Sequence, residues 1–306
     1  MKNTILTTLF LLSVVMISCQ KEAITNSSNV VKVTVRDASD KSLKTAFINP
    51  SVKWLGGIDE IGFFSDRAYT TAPGVFATNV DYTAQSTGTI STFSSSTPVY
   101  WDGTANVHDF GAYYPYAPGA LDYTAIPISL PALQAQVGSS TTHIGALDFE
   151  VATPIGLTPV PGANPSVDFT FNHVFTILKF DLTCVNTNTL ASISLTSSSG
   201  PNISLNTGST IDISQYPTPA AGVPYAISSA GGTQTVTLYA NLLVSSTVAS
   251  AYMLILPGDQ SSNIFTIVFT SSSAKTFTVT KPGKVFGRGN VYTVTQDIPV
   301  GGANGW

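Results

Sequence analysis

The chain has 306 residues, of which 10% are charged and 43% hydrophobic, and its formal net charge at pH 7 is −4. This hydrophobic share excludes an intrinsically disordered chain, because disorder needs low hydrophobicity and high charge. With 13 basic residues against 17 acidic ones, the chain also lacks the excess of Lys and Arg expected of a nucleic-acid-binding protein. At about 100–200 residues per domain, the length favours two domains.

The N-terminus has the pattern of a bacterial lipoprotein signal. Lys2 supplies positive charge, residues 5–17 form an apolar stretch, and the small Ser18 stands directly before Cys19. Because a membrane-spanning helix needs about 20 apolar residues, we expect residues 1–18 to be cleaved. Cys19 would then carry lipid and anchor the protein at the outer membrane, exposed at the cell surface. The alternative is an ordinary secretory signal; both place the mature chain outside the cytoplasm.

Strand signals dominate the first half of the mature chain. Residues 19–29 are polar and without periodicity, which predicts a flexible tether. Residues 30–36 then alternate with β-branched side chains and predict a first strand. Further short strands are predicted at 61–64, 99–101 and 109–114. Residues 116–131 are bracketed by prolines and are predicted to be a loop or an edge strand, because proline cannot donate to a sheet ladder.

The second half continues the same pattern. Residues 154–165 are rich in proline and glycine and are the best linker, which predicts one domain at 30–163 and another at 164–306. A long strand is predicted at 167–182, with alternate residues sharing one face. Further strands are predicted at 193–196, 236–239, 252–256, 265–269, 275–280 and 290–295. Turn residues separate them at hairpin spacing, which is typical of a β-sandwich or barrel. The sequence therefore predicts an all-β protein.

Histidine and cysteine patterns do not indicate a metal or catalytic centre. His108, His143 and His173 lie in separate segments without the spacing of a zinc site, so we predict no metal. His173 stands among alternating aromatic residues and is predicted to be a half-buried, hydrogen-bonded structural residue. If Cys19 is acylated, Cys184 has no partner for a disulfide; its apolar surroundings predict a small core residue.

Carboxylate pairs are the remaining candidates for catalysis. Asp59 adjoins Glu60, and Asp148 lies two residues before Glu150. Two carboxylates can act as acid and base in glycoside hydrolysis, but solvated loop residues are the more common reason for such pairs. The sequence has no nucleophile elbow and no glycine-rich loop leading into a helix. We therefore predict no catalytic residue, no cofactor and no enzyme.

A cluster of aromatic residues leaves two interpretations open. Its members are Tyr100, Trp101, Tyr113, Tyr114 and Tyr116. Aromatic side chains in an all-β protein usually build the core, and this interpretation is favoured. The alternative is a platform that stacks on sugar rings, as in a glycan-binding outer-membrane lipoprotein of a polysaccharide-uptake system.

Four stretches in sequence resemble the fimbrillin family of Bacteroidetes, the subunits of type V pili. They are residues 53–64 (KWLGGIDEIGFF), Trp101 followed by 109–116 (DFGAYYPY), residues 169–175 (FTFNHVF) continuing to Phe180, and residues 289–294 (GNVYTV). Together they cover about residues 45–297. The resemblance implies two transthyretin-like β-sandwich domains in tandem and a structural or adhesive subunit of cell-surface fimbriae.

The resemblance also implies assembly by strand exchange. In that family a protease removes the N-terminal strand after a basic residue, and a strand of a partner subunit fills the groove. The strand released here would carry Val31, Val33 and Val35. The candidate cleavage residues, expected in the polar loop that follows, are Arg36, Lys41 and Lys44.

The partners implied are other fimbrial subunits, the outer membrane through Cys19, and a host glycan or protein. Residues 291–300 are the candidate donor strand. The alternative is that the first strand is permanent.

Overall fold

The computed structural model describes residues 29–37, 54–71, 73–152, 155–160, 162–214 and 226–299. In this part of the chain, 21 strands accompany one short helix, α1 (Thr142–Leu147). The strands β1 to β21 are, in chain order, Val33–Asp37, Glu60–Ser65, Val80–Ala84, Ile90–Ser94, His108–Tyr114, Ile126–Leu130, Leu133–Ala135, Glu150–Ala152, Ile155–Leu157, Val167–His173, Thr176–Cys184, Asn188–Ser197, Leu205–Ile211, Ile227–Ser228, Thr235–Val244, Ala249–Ile255, Gly258–Asp259, Ile264–Ser271, Thr276–Pro282, Val285–Phe286 and Val291–Ile298. The predicted all-β class is confirmed. Over the described residues, no helix combines the length and the apolar character that crossing a membrane requires.

Six strands of the first half of the chain and β10 of the second half close into a ring of seven strands. The pairing order is β2, β3, β4, β1, β10, β8, β5, and β5 pairs again with β2, while β9 adds to β5 as an eighth strand. Alternate residues of each strand point inward and fill the ring with aromatic side chains. From the strands come Phe63, Tyr82, Phe93, Phe110, Phe169 and Phe171, and Trp54 and Trp101 join this core from outside the strands. The ring is barrel-like, so the tandem of two transthyretin-like sandwiches stays a prediction.

The second half contains a β-sandwich. One sheet has the order β16, β11, β21, and the other has the order β19, β18, β12, β15, β7. Apolar side chains from both sheets, including Phe180, Leu238 and Phe269, meet in one core. Cys184 is buried in that core as a free thiol, which agrees with its prediction as a core residue.

A third core joins the ring to the sandwich. Phe64 and Tyr113 from the ring share it with Ile177 and Leu254 from the sandwich. The small sheet β14, β13, β6 contributes to the same core. Pro127 lies in β6, an edge strand of that sheet, which agrees with the prediction of a loop or edge strand there.

The strand predicted at 167–182 is two strands. β10 ends at His173 and pairs with β1 in the ring, whereas β11 begins at Thr176 and pairs with β16 in the sandwich. Between them the backbone N–H of Val174 donates to the carbonyl oxygen of Phe149. The alternation of apolar residues in the sequence continues across this break, because residues on both sides of it are buried. The sequence therefore resembles that of a single strand.

Strand pairing crosses the predicted domain boundary between residues 163 and 164. β10 follows the boundary but pairs with β1 and β8 of the first half. β6 and β7 precede it but pair with β13 and β15 of the second half. The division into 30–163 and 164–306 stays a prediction, and these shared strands tie the two halves together.

Candidate functional site

The first strand lies between two neighbours inside the ring. β1 pairs in parallel with β10 and antiparallel with β4, so that Val35 stands opposite Phe169 on one side and Ser91 on the other. Val31 and Val33 are buried, and Val35 has no exposed surface. Complete burial of a valine contributes about 1.5–3 kcal/mol. The three residues of the predicted released strand therefore anchor it in the ring core.

The predicted cleavage residues are placed differently from one another. Arg36 lies in β1 itself, as the predicted strand at 30–36 has it, and not in the loop after the strand. Its Nη2 is 3.8 Å from Oδ2 of Asp168, and both side chains are about half exposed. Lys41, Lys44 and the predicted lipid attachment residue Cys19 lie outside the described residues.

Among the strands that the structure describes, the last one has one neighbour. β21 pairs in parallel with β11 and forms the edge of its sheet. Side chains along β21 alternate between partly buried and exposed until Ile298, which is fully buried. The predicted donor strand is therefore an edge strand with a period-two apolar face, of which Tyr292 and Val294 pack against the sandwich core.

The opposite edge of that sheet is covered by glutamine side chains. Gln134 donates from Nε2 to the carbonyl oxygen of Leu254 at 2.7 Å and accepts from its backbone N–H at 2.9 Å. Gln136 accepts from the N–H of Tyr252 at 2.8 Å and donates to the carbonyl oxygen of Ser250 at 3.1 Å. We call this contact of residues 134–136, from β7 and the residue after it, with β16 the covered seam. Its side chains take the positions that another strand's backbone would occupy.

The other side of the sandwich, between β19 and β21, is the open seam. A cavity of about 430 Å³ lies there. Phe180, Phe265 and Tyr292 line it, with Lys281 and Lys284 also among the lining residues. The two seams differ in chemistry, since buried amide hydrogen bonds cover one, whereas apolar side chains together with two lysines line the other.

Two carboxylates and a histidine meet where the ring joins the rest of the molecule. Nδ1 of His173 lies 2.7 Å from Oδ2 of Asp148 and 3.3 Å from Oε1 of Glu150. All three residues are buried, and their potential ligand atoms lie within 4.8 Å of one another. β8 and β10 create this meeting because Glu150 and His173 are register partners. His173 is more deeply buried than the predicted half-buried position.

The other two histidines contact backbone or a single carboxylate. His108 is fully buried, with Nε2 3.0 Å from Oδ1 of Asp102 and its ring 5.1 Å from that of Trp101. Nε2 of His143 donates to the carbonyl oxygen of Tyr252 at 2.9 Å, which adds to the covered seam. Burial lowers the pKa of His143 from its ordinary value.

The pair Asp59 and Glu60 separates into a buried and an exposed residue. Asp59 accepts from the N–H of Leu55 at 2.7 Å and from the hydroxyl of Tyr114 at 3.1 Å. It thus closes the turn before β2, whereas Glu60 begins that strand on its exposed side. The expectation that this pair is simply solvated at a loop rim is wrong for Asp59, because the turn requires an acceptor there.

The aromatic cluster likewise contains both core residues and a residue that lines a cavity. Trp101 and Tyr113 are buried, as the core interpretation favoured, and burial raises the pKa of Tyr113 to about 12. Gly62 makes room for Tyr113, since a Cβ on Gly62 would lie 2.1 Å from the tyrosine ring. Tyr116 differs because it lines a cavity.

The family model for fimbrillin-like proteins matches residues 45–304. The chain belongs to the fimbrillin-like family. A search of the curated proteins finds no match.

Solved structures share the fold of this fimbrillin-like chain. A candidate cell adhesion protein from Bacteroides uniformis aligns with a TM-score of 0.58 at 19% identity, covering 89% of this chain and 94% of the other. A candidate cell adhesion protein from Bacteroides fragilis aligns with a TM-score of 0.52 at 13% identity, covering 90% and 94%. At these identities the likeness concerns the fold alone.

Family membership gives the coarse function. This fimbrillin-like protein is a structural, non-enzymatic subunit of cell-surface fimbriae or adhesion structures, and it associates with other subunits. The glutamines of the covered seam were not among the predicted site residues. Their i, i+2 spacing in LQAQV, which places both amides on one face, was the available signal.

Proposed function

We propose that this protein is exported as a lipoprotein anchored through Cys19 and joins a fimbrium by strand exchange. A protease cuts behind Arg36, Lys41 or Lys44 and releases the first strand. The last strand of a neighbouring subunit, residues 291–300, then takes its place. The strongest support is the position of β1, which is the strand that closes the ring between β4 and β10.

Removing β1 would change both the backbone and the core of the ring. The edges of β4 and β10 that face β1 would lose their hydrogen-bond partners. Phe93 and Phe169, which pack with Val33 and Val35 in the ring core, would lose these neighbours. An apolar groove between two open strand edges accepts an added strand, so the cut subunit would be competent to receive one.

β21 has the properties that such a donor needs. It has one strand neighbour, so leaving its sheet breaks one hydrogen-bond ladder, whereas β1 has two. Its apolar Tyr292, Val294 and Ile298 alternate with the exposed Thr293 and Thr295. This spacing matches the alternation of Val31, Val33 and Val35 in β1, so a β21 strand could fill alternate positions of the groove.

The first test is the mature N-terminus of protein taken from native cells, measured by mass spectrometry. The proposal expects two species: a precursor with acylated Cys19, and an assembled form that begins directly after Arg36, Lys41 or Lys44. Acylated Cys19 as the sole N-terminus of assembled material would contradict strand release and leave a permanent anchor.

Three single substitutions locate the cut. Arg36→Gln, Lys41→Gln and Lys44→Gln each remove one basic residue, and the substitution at the true site should abolish SDS-resistant ladders of subunits. The other two serve as its matched controls and should assemble normally. Ladders that persist in the triple variant would overturn the cleavage step, while the mass of Cys19 would still report on lipidation.

A further inference from the structure

A cavity lies beside the junction of the ring and the sandwich. Its volume is about 660 Å³, which is within the usual range for small-molecule sites. The loop after β5 contributes Tyr116, the edge strand β6 contributes Ser129, and β13 contributes Asn206 and Thr207. The segment after α1 contributes Asp148, so four parts of the chain converge on it.

A buried carboxylate forms part of the cavity wall. Asp148 is only 5% exposed, and its Oδ2 is held 2.7 Å from Nδ1 of His173. Glu150 stands behind this pair, 3.3 Å from the same ring nitrogen. The histidine contact restricts the orientation of the Asp148 side chain, which would preorganise its carboxylate as a hydrogen-bond acceptor.

The remaining lining chemistry indicates the class of ligand. Tyr116 and three prolines provide apolar surface, while Asn206, Thr207 and Ser129 add an amide and two hydroxyls that both donate and accept hydrogen bonds. None of the described lining residues is lysine or arginine, which disfavours an anionic ligand. A sugar ring, with an apolar C–H face and neutral hydroxyl groups, fits this combination.

We propose that this cavity, which we call the junction cavity, binds a neutral sugar residue. Tyr116 provides apolar contact, and Asp148, positioned by His173, accepts hydrogen bonds from sugar hydroxyls. This binding activity goes beyond subunit assembly and does not depend on strand exchange, since β1 and β21 do not line the cavity. The protein would then both build the fimbrium and contact glycans.

The test uses the purified full chain and methyl glycosides of glucose, galactose, mannose, fucose and N-acetylglucosamine. Saturation-transfer NMR detects binding, and calorimetry measures the dissociation constant of the best glycoside. We expect at least one neutral glycoside to bind, and methyl glucuronide to bind less tightly than methyl glucoside. Failure of every neutral glycoside to bind, or a preference for the glucuronide, would overturn the proposal.

Variants decide whether binding occurs in the junction cavity. Tyr116→Ala removes apolar contact, and Ser129→Trp fills the cavity from an exposed position of β6; each should weaken binding about tenfold or more. Tyr123→Ala is the matched control, because Tyr123 is exposed and lines a different cavity. Binding that survives Ser129→Trp in a folded protein would refute the site.

Two substitutions separate positioning by His173 from a purely structural role. His173→Asn keeps a side-chain donor near Asp148 and should retain sugar affinity better than His173→Leu, when both variants are compared as folded protein. Equal affinities in the two variants would contradict the positioning role. SDS-resistant ladders of the Ser129→Trp variant should be normal, so failure of sugar binding and failure of assembly remain distinguishable.

Discussion

The first and the last strand of the chain pair in the same way but are held very differently. β1 lies parallel to β10 and β21 lies parallel to β11, although β10 and β11 follow each other directly in sequence. β1 has a second neighbour in β4 and a fully buried valine face, whereas β21 ends its sheet and is partly exposed. Similar alternating sequences therefore acquire different stability from their place in the sheet.

A charge placed in each strand measures this difference directly. Val35→Asp buries a carboxylate in the ring core and should lower the free energy of unfolding by about 4 kcal/mol or more. Val294→Asp, the same change on the half-exposed β21, should cost about 1 kcal/mol. Guanidinium denaturation of both variants gives the two values. Equal losses of unfolding free energy in the two variants would mean that the two strands are equally well anchored, and would contradict the difference described above.

The two seams of the sandwich extend the comparison from strands to edges. Gln134→Leu removes two hydrogen bonds to the backbone of Leu254 and leaves two buried groups unpaired, which should cost about 2–4 kcal/mol. Hydrogen exchange at the N–H of Leu254 should accelerate. Leu133→Ala, at a 64% exposed neighbour on β7, is the control and should cost at most about 0.5 kcal/mol. Unchanged exchange would mean that the amide does not cover this edge.

The pH dependence of stability provides a smaller test of the covered seam. The folded pKa of His143 is below its ordinary value of 6.5 because of burial, so the unfolded chain takes up a proton first as the pH falls. The stability that the neutral His143 side chain contributes is present above pH 6.5 and declines as the pH falls toward the folded pKa. His143→Gln should show a flatter curve in denaturation experiments between mildly alkaline and mildly acidic pH. A curve parallel to that of the wild type would contradict this assignment.

The smallest effect is expected at the outer face of β1. Arg36→Ala removes a half-exposed ion pair with Asp168 and should change the free energy of unfolding by about 0.5 kcal/mol or less. Thermal or chemical denaturation measures it. A loss of about 2 kcal/mol would show that β1 is held by its outer face as well as by its valines.

Local pattern sufficed to predict the strands but not their partners. The alternating valines of β1 and the alternation of β10 are visible in the sequence, because one face of each strand is buried. The closing contact of the ring, where Gly62 stands opposite Tyr113, joins segments far apart in the chain. The alternation of apolar residues also continues through the break after His173, where the chain changes sheet without a glycine or proline to indicate it.

The contacts of the candidate sites were harder to predict for the same reason. Asp148 and His173 meet only because β8 and β10 are neighbours, and spacing along the chain carries no information on that pairing. The glutamines Gln134 and Gln136 looked like ordinary polar residues of a strand. Their inward orientation follows from the parallel pairing of β7 with β15, which the sequence does not reveal.

The covered seam also has a consequence for the symmetry of an assembly. Two identical copies that joined sheets through the same β16 edge would form a closed dimer with a twofold axis, which ends growth. Glutamine amides already occupy the hydrogen bonds of Ser250, Tyr252 and Leu254 that such a dimer would need. The covered seam therefore disfavours a twofold dimer through this edge, whereas contacts between unlike surfaces generate rings or open filaments.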